Sequence, residues 1–111
     1  MIIARSKDIA PEPIRHNENI LKKVLLKSGM VGKITQIAEA TLAQGEATEL
    51  HHHPTMYEVY FIITGRAIYT VNDQEYEVGP GDLFVFEPLE KHNQRVIEGP
   101  HRIFYFGLAT D

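Results

Sequence analysis

Residues Gly45 to Gly65 read GEATELHHHPTMYEVYFIITG, and the fold turns on how this stretch is laid out. His51 and His53 are one residue apart. On a β-strand alternate side chains share a face, so the pair aims two imidazoles at one point while His52 faces away. Pro54 cannot donate to a sheet ladder, so the strand carrying the pair ends or bends there. The next run, Tyr57 to Thr64, is rich in aromatic and β-branched residues and reads as a strand. A chain that turns at Pro54 and runs alongside returns Glu58 to the histidine pair. His92 arrives from further along, past a Gly81-Asp82 turn and Pro88. Three neutral imidazoles and one carboxylate form a mixed nitrogen and oxygen set. It suits manganese, iron, nickel, copper, cobalt or zinc, and suits calcium or magnesium poorly. The triple histidine is internal and precedes a strand-like run, unlike an expression tag.

Working outward, strand signals recur at short intervals. Met1 to Asn19, with Pro11 and Pro13, has no clear period and reads as an N-terminal arm. Ile20 to Lys27 is a first apolar run, and Gly29 to Gly32 a turn. Lys33 to Ala43 reads as a strand, with a helix over Gln36 to Gln44 as its rival. Glu49 to His53, Tyr57 to Thr64, Arg66 to Val71, Gln74 to Val78, Leu83 to Phe86, His92 to Ile97 and His101 to Leu108 follow as separate strands. Asn72-Asp73 suits a tight hairpin. Gly79-Pro80-Gly81, Pro88 to Lys91 and Gly99-Pro100 are turns, and Leu83 to Phe86 is expected to be buried on both sides. Many short strands with regular turns predict an all-β sandwich or barrel.

Gly45, His51, His53, Glu58 and Gly65 match, at every defined position and spacing, the first conserved motif of the cupins. The run Pro80-Gly81-Asp82-Leu83-Phe84-Val85-Phe86-Glu87-Pro88, ending at His92, resembles the second. It departs from the usual pattern at Glu87, Leu89 and Val96. The resemblance covers about Lys33 to Leu108, and the whole also looks like the small single-domain cupins that bind manganese. It implies an all-β double-stranded β-helix, the jelly-roll or cupin barrel, over residues 1–111, with 1–19 as arm and 33–108 as conserved barrel. It also implies one divalent transition metal ion per chain, manganese or iron favoured, with His51, His53, Glu58 and His92 as ligands. A homodimer is implied as well, and apolar residues within Ile20 to Leu26 and His101 to Phe106 would supply its surface.

Composition narrows the partners. The 111 residues suffice for one core, and 15 acids against 11 bases give a net charge of −4, which disfavours a nucleic-acid surface. There is no cysteine, so a disulfide framework, a thiolate zinc site and a cysteine nucleophile are excluded. Met1 to Lys7 lacks a signal-peptide core and no run approaches the length of a membrane span, so a cytoplasmic protein without a membrane role is expected.

Parity on the strands predicts the lining of the site. Tyr60 and Ile62 share Glu58's face; Gln94 and Val96 share that of His92. Tyr60 and Gln94 are therefore candidate substrate contacts, with a core aromatic as the plainer reading of Tyr60. Asp82 is expected to serve its turn, Glu87 to be exposed, and His16 and His101 to be surface or incidental residues. A metal that prefers six ligands keeps two positions for solvent, dioxygen or two substrate oxygens. Together with the resemblance to enzymatic cupins, that implies an oxidoreductase of dioxygenase type on a small molecule as the leading class. An isomerase or lyase on a sugar or carboxylic acid, or a binding and sensing module without turnover, are the alternatives.

Overall fold

The computed structural model describes residues 1–111 and contains seven strands. These are β1 (Glu12–Ile14), β2 (Asn17–Leu26), β3 (Ile34–Leu42), β4 (Met56–Val71), β5 (Gln74–Val78), β6 (Leu83–Phe86) and β7 (His92–Ala109). All pairings are antiparallel, in the order β1-β2-β3-β7-β4-β5, with β6 also paired to β4. The helix considered over Gln36 to Gln44 does not form. The inward residues Ala38, Ala40 and Leu42 alternate with outward ones, and that two-residue period fits β3 and no helix.

β4 and β7 are the long elements, and both turn a corner. The first half of β4 pairs with the second half of β7 and with β6. Its second half pairs with the first half of β7 and with β5. Register shifts between Ile62 and Ala67 carry β4 from one half of the jelly roll to the other. The two strands expected on either side of Gly65, and the two on either side of Gly99-Pro100, are thus single strands that bend. Gly65 allows the bend because its φ is +77°, and a Cβ there would lie 2.5 Å from the Pro100 carbonyl oxygen.

Other expectations need smaller corrections. The N-terminal arm is not wholly irregular: it contains a 3-10 turn at Ser6–Asp8 and β1, and Lys23 Nζ donates to the Ser6 carbonyl at 2.9 Å. Leu83 to Phe86 is buried on one side only. β6 is an edge strand whose Phe86 is buried, while Leu83 and Val85 are exposed. The Asn72-Asp73 hairpin forms with φ of 48° and 68°, the left-handed pair of a tight turn. Asp82 serves its turn, its Oδ2 accepting from the Gly79 N–H at 2.8 Å.

The core comprises Ile20, Leu42, Ile62 and Tyr69 with their buried neighbours. Aromatics crowd one side: Tyr60 lies 5.1 Å from Tyr105 and 5.5 Å from Phe84, centroid to centroid. His101 is not a surface residue. It is fully buried, its Nδ1–H donates to the Thr64 carbonyl at 3.2 Å, and its Nε2 accepts from the Tyr69 hydroxyl at 2.9 Å. A carbonyl can only accept, which fixes the tautomer. Burial pushes His101 below its ordinary pKa and Tyr69 above its own, so both stay neutral and satisfy each other.

Candidate metal centre

The segment after Gly45 does not form the strand expected over Glu49 to His53. It follows β7 by isolated bridges, Ala47 with Arg95 and His51 with His92. Its amides alternate between partners: Glu49 N–H donates to the His16 carbonyl at 3.3 Å, so no continuous ladder forms. The bridge that matters is reciprocal. His51 N–H donates to the His92 carbonyl at 3.0 Å, and His92 N–H to the His51 carbonyl at 2.8 Å. Two histidines separated by forty positions in sequence are thereby set side by side. Past Pro54 the chain turns, and β4 brings Glu58 back to them.

Potential ligand atoms of His51, His53, Glu58 and His92 all lie within 4.8 Å of one another. Glu58 and His92 are buried; His51 and His53 are half-buried and His52 is exposed, as the alternation requires. Glu58 Oε1 lies 3.0 Å from His53 Nε2 and 3.3 Å from His92 Nε2. Neither approach has hydrogen-bond alignment, so Glu58 Oε1 and His92 Nε2 are buried without a partner.

The ring orientations explain this. His51 Nδ1 lies 2.7 Å from the Glu49 carbonyl and His92 Nδ1 lies 2.9 Å from that of Glu90. Each Nδ1 must carry the hydrogen, which leaves each neutral ring with a lone pair on Nε2. At His92 that lone pair faces a carboxylate oxygen. Two such acceptors repel unless a positive charge, proton or metal, lies between them. Burial alone would push the Glu58 carboxyl up, but a proton on the facing nitrogens of His53 and His92 outweighs burial and holds Glu58 down to about 2. Burial lowers His51 to about 4. At neutral pH the carboxylate is therefore ionised and His51 is neutral, the forms a metal requires. The donor set, its protonation and its two orphaned atoms all fit a divalent transition metal ion.

Each of two rings is also backed by another. His92 stacks on Phe86 with centroids 3.8 Å apart and planes 6° apart. His51 stacks on His16 at 3.6 Å and 13°. His16 is thus no incidental residue: the turn between β1 and β2 carries it, and Asn17 Nδ2 fastens that turn to the Ala47 carbonyl at 2.8 Å. Nothing in its sequence neighbourhood signals this contact. The weaker candidates differ. Tyr60 and Gln94 are buried and line the cavity beside the cluster, Tyr60 chiefly as part of the aromatic core. Glu87 is exposed.

The family model for the cupin domain matches residues 38–103. This chain is a cupin. An uncharacterised protein of Methanocaldococcus jannaschii is 31% identical to this cupin over 91 residues, 82% of this chain and 73% of that protein. An oxalate-binding protein of Thermotoga maritima is 27% identical over 97 residues, 83% of this chain and 80% of that protein. Among solved structures, a Thermotoga maritima protein described as a predicted oxalate decarboxylase superposes with a TM-score of 0.87. At 22% identity, over 97% of this chain and 99% of that one, this likeness shows the fold.

The cupin's site makes its metal-free form acid-sensitive. His51 has an ordinary value of 6.5 and is lowered to about 4 in the fold, and burial lowers His16 and His101 as well. Below pH 6.5 the unfolded chain takes up protons that the folded chain refuses, so stability falls as pH drops from about 6.5 towards 4. Thermal unfolding in a chelator should show Tm nearly level above pH 6.5 and falling from there to pH 4.5. A flat Tm across that range would contradict this account.

Proposed function

We propose that this cupin is a metal-dependent enzyme acting on a small molecule, with His51, His53, Glu58 and His92 as the metal ligands and manganese or iron as the ion. An oxidoreductase of dioxygenase type is the leading class. The observation that carries the reading is the buried lone pair of His92 facing a Glu58 carboxylate oxygen at 3.3 Å, beside a cavity of about 340 Å³. A bound ion would supply Lewis acidity and, if redox-active, electrons. The chain's own residues do the rest. Glu49 and Glu90 carbonyls hold two imidazoles by Nδ1, while Phe86 and His16 fix their planes. Ala40, Leu42 and Ile103 give the cavity an apolar wall.

Elemental analysis tests this directly. Wild type should carry roughly one metal per chain and the His51→Ala, His53→Ala double variant none. A wild type that stays empty after reconstitution with manganese, iron or zinc would end the enzymatic reading. One finding favours a second reading, a binding module without turnover: the Thermotoga relative is named for binding oxalate. Oxygen uptake with a candidate substrate supports the enzyme; a ligand-induced thermal shift without turnover supports the binder.

A homodimer belongs to the same proposal. Phe61, Leu83, Val85 and Leu108 are exposed on adjacent strands, with Leu83 opposite Phe61 and Val85 opposite Val59. Such a face favours burial against a second copy. Light scattering at micromolar concentration should give twice the chain mass of 12.6 kDa. A single monomer peak would remove the dimer.

A further inference from the structure

β5 and β6 both pair with β4, on its two different halves, and not with each other. The jelly roll is therefore open between them, and a cavity of about 410 Å³ lies in the gap. It shares no lining residue with the cavity at the metal centre. The register shows which side chains face it. Tyr76 and Val78 lie opposite Tyr69 and Ala67, which are buried, so both are on the inward phase of β5. Yet Tyr76 is 49% exposed, where Tyr69 is 1% exposed. An inward-facing ring half in water marks a floor that nothing in the chain covers.

Aromatic rings build this floor, and carboxylates stand around it. Tyr69 lies 4.8 Å from Phe84, and Phe84 lies 5.3 Å from Phe86, centroid to centroid, with Tyr76 at the mouth. Glu77, Asp82, Glu87 and Glu90 also line the cavity, and no lysine, arginine or histidine does. Their charges are not spent locally. Asp82 accepts from the Gly79 N–H and Glu90 from the Glu87 N–H, each a neutral donor. Glu77 pairs with Arg66, but Arg66 also pairs with Glu98, so the trio keeps a net negative charge. Glu87 is exposed and in no ion pair.

Such a cleft suits an organic cation. The rim attracts positive charge, aromatic rings bind weakly hydrated cations, and the apolar floor accepts alkyl groups. A metal ion fits poorly: the one group of side chains converging closely enough to hold one is His51, His53, Glu58 and His92, and no rim acid belongs to it. An anion would meet like charge, and a neutral apolar ligand would leave the rim unmatched.

We infer that the cleft between β5 and β6 is a second binding site, for a small alkylated ammonium. The inference stands apart from the metal-centre reading, since neither the floor nor the rim supplies a metal ligand.

The test is calorimetric titration of choline and benzyltrimethylammonium into the full chain, both chelator-treated and manganese-loaded. Neopentyl carbinol, the uncharged carbon isostere of choline, and ammonium chloride are the controls. Both alkylated cations should bind wild type in either metal state, with each control weaker by about fivefold or more. Tyr76→Leu keeps an apolar side chain without the ring and should weaken binding about fivefold, whereas Tyr76→Phe should retain it. Glu87→Gln, at an exposed position, is the second variant should Tyr76→Leu fold poorly. It should weaken binding about threefold and reduce its salt dependence. Metal content should be the same in every variant. Equal binding of choline and its isostere, or equal binding by wild type and Tyr76→Leu, overturns the inference. So does an absence of binding; if light scattering then finds Tyr76→Leu monomeric where wild type is dimeric, the cleft's occupant is a second copy of this chain.

Discussion

Glu58→Gln should empty the site of metal and, in the same protein, raise the stability of the metal-free fold. The two effects have one origin. In wild type Glu58 Oε1 and His92 Nε2 are buried acceptors 3.3 Å apart, with His53 Nε2 3.0 Å from the same oxygen. A cation between them turns repulsion into coordination; without one, the contact costs free energy. Glutamine has nearly the same shape but carries an NH₂ group that can donate to both imidazoles. Each hydrogen bond made in place of an unpaired acceptor contributes about 1 kcal/mol. That corresponds to a Tm gain of roughly 4 °C for a chain of this size. The amide is also a neutral and weaker ligand, so metal affinity should fall by more than about 100-fold, beyond the loss seen for outer-shell partners. Elemental analysis and thermal unfolding in a chelator read the two arms. Undiminished metal in Glu58→Gln would remove Glu58 from the ligand set. A lower metal-free Tm would mean that Oε1 and Nε2 are not in conflict.

Gly65→Ala should be among the most damaging single substitutions in the chain. Gly65 sits at φ +77°, where an L side chain is strained. Its Cβ would also meet backbone on three sides: the carbonyl oxygens of Pro100 and Glu98 at 2.5 and 2.6 Å, and the His101 Cα at 2.8 Å. Backbone cannot swing aside as a flexible side chain can. Strain and overlap together should cost about 3–5 kcal/mol, lowering Tm by roughly 10–20 °C. Gly29→Ala is the matched control, because Gly29 has φ +88° but nothing within 4 Å. It should cost only about 1 kcal/mol, for conformation alone. Equal Tm values for the two variants would show that crowding at the bend of β4 is not what selects glycine.

The clustering of His51, His53, Glu58 and His92 was legible in the sequence because strand geometry is simple. His51 and His53 share a face by parity, Pro54 marks the turn, and Glu58, Tyr60 and Ile62 share the inward phase. The fold class followed from repeated short runs and turn residues, and the cupin motifs agreed with it. What escaped was set by contacts between distant segments. His16 reaches His51 only because the β1–β2 turn is fastened to the loop at Ala47, and neither sequence neighbourhood records that. His101 was readable in principle, since it lies in phase with Ile103 and Tyr105; matching histidines only to motifs hid it. Gly65 and Gly99 were taken as breaks because glycine and proline usually end strands. Here the ladders on either side continue through the bend. Leu83 and Val85 looked buried because an apolar run does not reveal that its strand lies at an edge.

Because β4 and β7 each lend one stretch to either half of the jelly roll, neither half can loosen alone. Opening the half that holds Ile62 pulls on the same two strands that hold Ala67 and Val96. Amide protons on both sides of the corner are therefore released by one concerted event rather than by separate local openings. The centre inherits that cooperativity: Glu58 lies near the start of β4 in one half and His92 opens β7 in the other. A fragment carrying one half would keep some of the imidazoles or the carboxylate, but never a complete set.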